Sequence, residues 1–273
     1  MIILAATPIG NLGDASRRLI EVLENAEVVA AEDTRTTANL LRGLGIENRP
    51  RLIALHDHNE KHKAAELVAL AEEHDLVVVS DAGMPAVSDP GYGLVAAAVE
   101  AGVTVTAIPG PSAVLMALAI SGMPTDRFAF EGFLPRKPSE RRSTLRAVAA
   151  EPRTMVFFES PARLASSLAD MGEAFGDDRR IAVCRELTKL YEEVRRGTAS
   201  ELIAWAEGGV KGEIVVVVSG AQRVETSAED AGAQVQRLVD DGMRLKEACA
   251  EVAAATGLSS RDLYQQALAA RAK

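Results

Sequence analysis

VVVSDAGMPAVSDPGYG, residues 77–93, decides the fold. A continuously apolar run ends in Ser80-Asp81, a loop stiffened by Pro85 and Pro90 and freed by Gly83 and Gly91 follows, and a helical pattern opens at Tyr92. An apolar run without alternation is what a strand covered by helices on both faces requires. Outward from it, strand-like runs at Ile2–Ala6, Val28–Ala31, Leu52–Leu55, Leu76–Ser80, Val103–Ile108 and Phe128–Phe130 alternate with helix-like stretches. Those stretches are Ser16–Glu24, Thr36–Leu44, Lys61–Glu73, Tyr92–Glu100 and Ser112–Ile120. The alternation predicts βαβ units, an α/β class and a mostly parallel sheet. Asp14 is expected to cap the first helix and Gly102 to end the fourth.

The pattern breaks at LPRKPSERRS, residues 134–143, which reads as the crossing between two domains. A second alternation follows: Thr154–Glu159, a helix Ala162–Phe175, Ile181–Arg185, a helix Ala199–Ala206 and Glu213–Ser219. After Gly220, the polar AQRVETSAEDAG reads as a linker, and three short helices broken at glycines complete the chain. A helix-turn-helix with Ser259 capping its last helix fits this tail, and a plain dimerising or capping bundle fits it equally. The expected boundaries are 1–133, 134–220 and 221–273.

Bulk composition bounds the function. The 273 residues carry 30 Lys+Arg against 39 Asp+Glu, a net charge of −9, with 48% hydrophobic and 25% charged residues. These values fit an ordinary globular protein and exclude a collagen-like, disordered or disulfide-scaffold chain. The acidic balance opposes a broad electrostatic grip on nucleic acid, though not a local basic patch. Cys184 and Cys249 form no CxxC pair, so no zinc site and a reducing cytoplasm are expected. The N-terminus reads as a buried strand, and no apolar run approaches the ~20 residues of a membrane span.

Three strands end in loops rich in proline and glycine: Thr7-Pro8-Ile9-Gly10 onward, the 80–91 loop, and Pro109-Gly110-Pro111 before Ser112. Ligands of open α/β sheets bind outside the carboxyl ends of strands, where these loops lie. None is a Walker or G-x-G-x-x-G loop. Asp81 and Asp89 can accept hydrogen bonds from ribose hydroxyls or offset a cationic ligand, whereas in isolation each would merely cap a turn. Glu32-Asp33-Thr34-Arg35 is a substrate surface or a charged helix start with equal weight. LHDHNEKH, residues 55–62, gathers His56, His58 and His62 without the spacing of a metal centre. It reads as a polar catalytic or RNA-facing loop, and no metal is expected.

TPIGNLGD, AEDTRTT, LHDHNE, SDAGMPAVSDPG, PGPSA, EGFLPRK, FFESPAR and CRELTKLYEE occur in this order. Together they resemble the ribosomal RNA small subunit methyltransferase I group of tetrapyrrole-methylase-like, S-adenosylmethionine-dependent enzymes, over essentially the whole chain. The resemblance implies two α/β domains with the donor in their cleft, plus a helix-turn-helix-like tail. It also implies a cytoplasmic homodimer that methylates the ribose 2′-oxygen of a cytidine in 16S rRNA, near the decoding centre of the small ribosomal subunit. By motif matching, Pro8, Asp81, Gly83, Met84, Ser112 and Ala113 line the donor pocket from one side, and Phe158 and Cys184 from the other.

Methyl transfer from a sulfonium mainly requires alignment. A ribose hydroxyl is a poor nucleophile that a base or a cation assists. Lys189, His56 and Glu60 are the candidates in that order, Lys189 either as a base of depressed pKa or, charged, as a stabiliser of the developing alkoxide. Arg136, Lys137, Arg141 and Arg142, with Arg146 beside them and Arg35 from the first half, are the expected phosphate contacts. Rival readings are a tetrapyrrole or other small-molecule methyltransferase, a donor-binding regulator without catalysis, and a metal-dependent hydrolase on His56, Asp57 and His58.

Overall fold

A computed structural model of the chain describes residues 1–56, 58–222 and 228–271. Asp57 and part of the expected linker lie outside them. Residues 1–220 form one compact unit and 221–273 a second. In the first, β1 (Ile2–Ala5), β2 (Val28–Ala31), β3 (Arg51–Ala54), β4 (Leu76–Val79) and β5 (Val105–Ile108) stand in the order β3-β2-β4-β1-β5. Every pair is parallel.

Alternate side chains of these strands enter two cores. Ile2, Val28, Ala30, Leu76 and Val78 meet α3 (Glu60–Glu73) and α4 (Tyr92–Glu100) on one face. Ile3, Ala5, Val29, Val77 and Val79 meet α1 (Arg17–Asn25) and α2 (Thr34–Gly43) on the other. Both faces are dry, hence the unbroken apolar runs. Ser16, not Asp14, caps α1, its hydroxyl accepting from the Leu19 amide at 3.0 Å. Asp14 instead ends a short 3-10 turn. Gly102, at φ +72°, closes α4 as its sequence position predicts.

The second sheet departs from the expected parallel arrangement. It runs β6 (Phe128–Phe133), β7 (Thr154–Glu159), β10 (Ile214–Val218), β8 (Ile181–Arg185), β9 (Glu193–Gly197), and only the β6–β7 pair is parallel. β9, EVRRG, carries no apolar run, because an edge strand has only one neighbour and much of it faces solvent. β6 belongs to this sheet and not to the first, so the chain crosses between sheets before Phe128 and not at 134–143. That segment instead holds α6 (Pro138–Ala147), with Pro138 in the first turn, where its missing N–H costs nothing.

Period-two alternation again serves two faces. Met155, Phe157, Val183 and Val216 face α6, α7 (Leu164–Phe175) and α8 (Ala199–Ala206). Val156, Cys184, Val215 and Val217 face α5 (Ala113–Ser121), the helix that follows β5, and Ile9 joins this core. The helix after β5 thus welds the two sheets together.

The tail unit packs α9 (Ala228–Asp240), α10 (Leu245–Thr256) and α11 (Ser260–Arg271) around Ala231, Val235, Cys249, Val252 and Leu263. Gly257, in the left-handed region, ends α10, and the Ser259 hydroxyl accepts from the Asp262 amide at 3.3 Å. Among the described residues no helix is long and apolar enough to cross a membrane.

Candidate active site

β4, β1 and β5 are adjacent and parallel, so the loops leaving their carboxyl ends meet. Thr7 and Gly83 exchange two main-chain hydrogen bonds, Thr7 N–H to Gly83 O at 2.9 Å and Gly83 N–H to Thr7 O at 3.1 Å. The Thr7 hydroxyl donates to Ser80 O at 3.2 Å. Gly110 passes so close to Ala6 that a Cβ there would lie 2.8 Å from the alanine methyl. Gly83 sits at φ +86° and Gly91 at +132°. Ala86 and Ser88, at +69° and +63°, share the left-handed region despite their side chains. Strain of this kind persists only where surrounding structure holds it, and it concentrates at functional sites.

Against these loops stands the end of the second sheet, and between them lies a cavity of about 430 Å³, within the ~300–1,000 Å³ of small-molecule sites. Its first wall includes Ile9, Gly83, Met84, Asp89, Ser112 and Ala113. Its second wall includes Phe133, Phe158, Leu187, Gly212, Glu213 and Val215. Phe158 is braced by Phe130 and Phe133, with ring centroids 4.9 and 5.4 Å away. Glu159 also reaches the lining, yet its carboxylate is taken up by the Ser160 amide, Ser167 and Arg163.

Of the residues expected to line a donor pocket, the cavity gathers Gly83, Met84, Ser112, Ala113 and Phe158. Pro8 is buried and outside the lining. Asp81 is exposed and ties two loops together: its carboxylate accepts from the Asp33 amide at 3.2 Å, and its own amide donates to Glu32 at 3.2 Å. Desolvation, helped by the like charge of Asp33, raises its pKa. Cys184 does not reach the cavity. Its side chain lies on the α5 face of the sheet, fully buried, where desolvation lifts the thiol to about 11.

The catalytic candidates separate. Lys189 Nζ lies 3.0 Å from Glu186 and 3.1 Å from Glu213, a residue of the cavity wall. Partial burial opposes its charge, but the hydrogen bonds to the two carboxylates prevail and raise its pKa. Lys189 is therefore held as a cation, and of its two expected roles this favours the charged one over the base of depressed pKa. Its stem presses on Gly10, where a Cβ would come within 2.6 Å of it. Glu60 lies outside the lining, and one of its carboxylate oxygens accepts from the Gly91 and Leu94 amides at 2.9 and 3.1 Å, capping α4. His56 is exposed after the edge strand β3, outside the lining, with its backbone amide bound to Asn59. Among the described residues no group of three or more His, Cys, Asp or Glu side chains could hold a metal.

The expected phosphate contacts also divide. Arg141 is buried, its side chain 5% exposed, and donates to Asp170 at 2.6 Å. It joins α6 to α7 and is withdrawn from any RNA surface, because a cation so enclosed by its own carboxylate has none to offer. Arg142 leans toward the same carboxylate at 3.7 Å, Lys137 pairs with Glu140 and Arg146 with Glu173. Arg136 and Arg35 are exposed, Arg35 with its Nε 3.7 Å from Asp33.

Glu213 and Leu187 escaped the sequence reading. Glu213 precedes β10, and only because β10 is antiparallel to β7 and β8 does its beginning meet their ends. No local pattern announces that.

Comparison with known proteins adds the following. Residues 1–203 match the family model described as Tetrapyrrole (Corrin/Porphyrin) Methylases, and residues 225–271 match that of the RsmI C-terminal HTH domain. The chain is 51% identical to the ribosomal RNA small subunit methyltransferase I of Mycobacterium tuberculosis (strain CDC 1551 / Oshkosh), covering 99% of this chain and 95% of that one. It is 44% identical to the protein of the same name from Escherichia coli O157:H7, covering 97% and 93%. Among solved structures, uroporphyrin-III-C-methyltransferase from Thermus thermophilus superposes with a TM-score of 0.56 at 22% identity, over 81% of this chain and 94% of that chain. Diphthine synthase does so with 0.58 at 14% identity, over 80% and 89%. At such identities these two likenesses speak for the fold alone.

Proposed function

This chain belongs to the tetrapyrrole (corrin/porphyrin) methylase family, and from that premise we propose that it is an S-adenosylmethionine-dependent methyltransferase acting on the ribose 2′-oxygen of a cytidine in 16S rRNA, near the decoding centre. The observation that carries the reading is the cavity: loops from three parallel strand ends, the one after β4 strained, facing an aromatic and acidic wall, in a chain alike over nearly its whole length to enzymes named for small-subunit rRNA.

The residues present suit the donor. Ile9, Met84, Leu187 and Phe158 offer apolar surface for a purine, and the Gly83 backbone approaches without a Cβ. Asp89 places a carboxylate in the lining, the sign that complements a sulfonium, while that of Glu213 is paired with Lys189. When bound, the donor supplies a methyl group already activated for displacement, so the protein's task is alignment.

Lys189 is the group we assign to the oxygen that attacks. Its ammonium is held charged between Glu186 and Glu213, which suits it to stabilise the negative charge that builds on the 2′-oxygen as the hydroxyl proton passes to solvent water, the methyl–sulfur bond then breaking as the methyl–oxygen bond forms and the neutral thioether leaving. Arg136 and Arg35, both exposed, and Lys137 and Arg142, each near a carboxylate, are the side chains that remain for phosphate. The RsmI-type tail favours rRNA over a small tetrapyrrole, since a small substrate has no use for it. The reading carries with it a cytoplasmic homodimer working on the small ribosomal subunit.

Incubation with labelled donor and either unmodified small subunits or naked 16S rRNA tests it. Label mapped to one cytidine ribose is expected, and the two arms identify the substrate form. Donor binding without transfer to either would turn the reading toward a regulator, and transfer to a tetrapyrrole toward the small-molecule enzyme.

A further inference from the structure

The loop between β8 and β9, residues 186–192, is held firmly yet turns large apolar side chains outward. Glu186 and Thr188, at φ +51° and +68°, are the other two non-glycine residues in the left-handed region among those described. The Thr188 amide donates to the Glu192 carboxylate at 2.7 Å, the Lys189 amide to Glu186 O at 3.0 Å and the Glu192 amide to Lys189 O at 3.1 Å. The Thr188 hydroxyl oxygen is buried without a partner, a cost that a loop shaped for stability alone avoids. Within this turn Leu187 points into the cavity wall and Lys189 is clamped beside it. The next two residues face solvent: Leu190 is 88% exposed, the highest value among the large hydrophobic side chains described, and Tyr191 is 68% exposed.

We propose that Leu190 and Tyr191 form the platform against which the base of the target nucleotide packs while its ribose is presented to Lys189. The inference rests on the rRNA reading above and assigns the element that recognises its substrate. Sequence-specific recognition of RNA targets mostly single-stranded nucleotides, whose unstacked bases pack on aromatic and apolar side chains. The platform is continuous with the cavity through Leu187, and the cation that would meet the sugar lies one residue away. An exposed apolar pair with these neighbours fits a nucleobase above a sugar.

The test compares the full-length protein with Leu190→Ala/Tyr191→Ala and Tyr191→Phe, on small subunits lacking the modification. Loss of a stacking contact is expected to lower kcat/KM for the subunit by about five- to a hundredfold. Donor affinity by titration and the sedimentation coefficient should stay unchanged, and Tyr191→Phe should restore most of the rate. Unchanged kcat/KM in the double variant overturns the platform and leaves the rRNA reading standing. An equal fall in donor affinity makes the pair part of the cavity and overturns it. A change of oligomeric state assigns the surface to a second copy and overturns it too. If the unmodified protein transfers to no RNA, the functional reading falls and takes the platform with it.

Discussion

The wall of the cleft built from the first sheet is tied together by main chain, whereas the wall built from the second is tied by side chains. In the first, Thr7 and Gly83 exchange amide hydrogen bonds, Gly110 lies against Ala6, and the 82–91 loop owes its path to positive φ at four residues. In the second, Phe158 rests on two other rings, the lining residue Glu213 on Lys189, which lies outside the lining and also binds Glu186, and the helices behind the sheet on the buried Arg141–Asp170 pair. Main-chain ties are insensitive to most substitutions and shape a surface for one ligand. Side-chain ties depend on single residues. Under the function proposed above, the difference fits donor recognition chiefly on the first wall and chemistry on the acceptor on the second.

The largest effect expected lies behind the second wall. Arg141→Ala leaves Asp170 buried without its cation and should cost about 3–5 kcal/mol, read as a melting temperature lower by roughly 10 °C. A variant that melts normally but binds RNA poorly would break the comparison. Next, Lys189→Met should slow transfer by about 10²–10³-fold with donor affinity unchanged in titration. An equal loss in both would move Lys189 to the donor side. In the first wall, Gly83→Ala puts an L side chain at φ +86°, a conformation costing roughly 1–2 kcal/mol, and should weaken donor binding about tenfold. Glu60→Gln removes the charge that caps α4 and should cost about 1 kcal/mol of stability, with kcat unaltered at saturating donor.

The smallest effect sharpens the role of Lys189. Its folded pKa is raised, so the charged form is complete below the ordinary lysine value and is lost only as pH rises through the higher folded value. Transfer should therefore show no lysine-dependent rise between about pH 7 and 9, and Lys189→Arg should keep a flat profile there. A rate climbing through that window in the unmodified protein and not in Lys189→Arg would restore a proton-accepting role.

Much of the fold was legible because strand and helix patterns are local. VVVSDAGMPAVSDPGYG announced strand, ligand loop and helix, and Gly83 and Met84 stand in the cavity lining. In the cationic run at 136–146, Arg141 misled for the complementary reason. Five positive charges in eleven residues say nothing about Asp170, which lies 29 positions beyond Arg141 and is brought to it only by the packing of α6 on α7. Nor does LHDHNE announce the partners of Glu60, the Gly91 and Leu94 amides, which the packing of α3 on α4 brings to it.

By itself the sequence determined the alternation of strands and helices, the loops that carry glycine and proline where the backbone must bend, and the motif series that ties the chain to its family. Those properties depend on neighbours within a few residues. Tertiary structure decided which strands run antiparallel, hence that Glu213 meets Lys189 at the cleft, and which charges are spent inside the protein. Pairing and burial join residues distant in the chain, and charge acts according to the partner it meets in space.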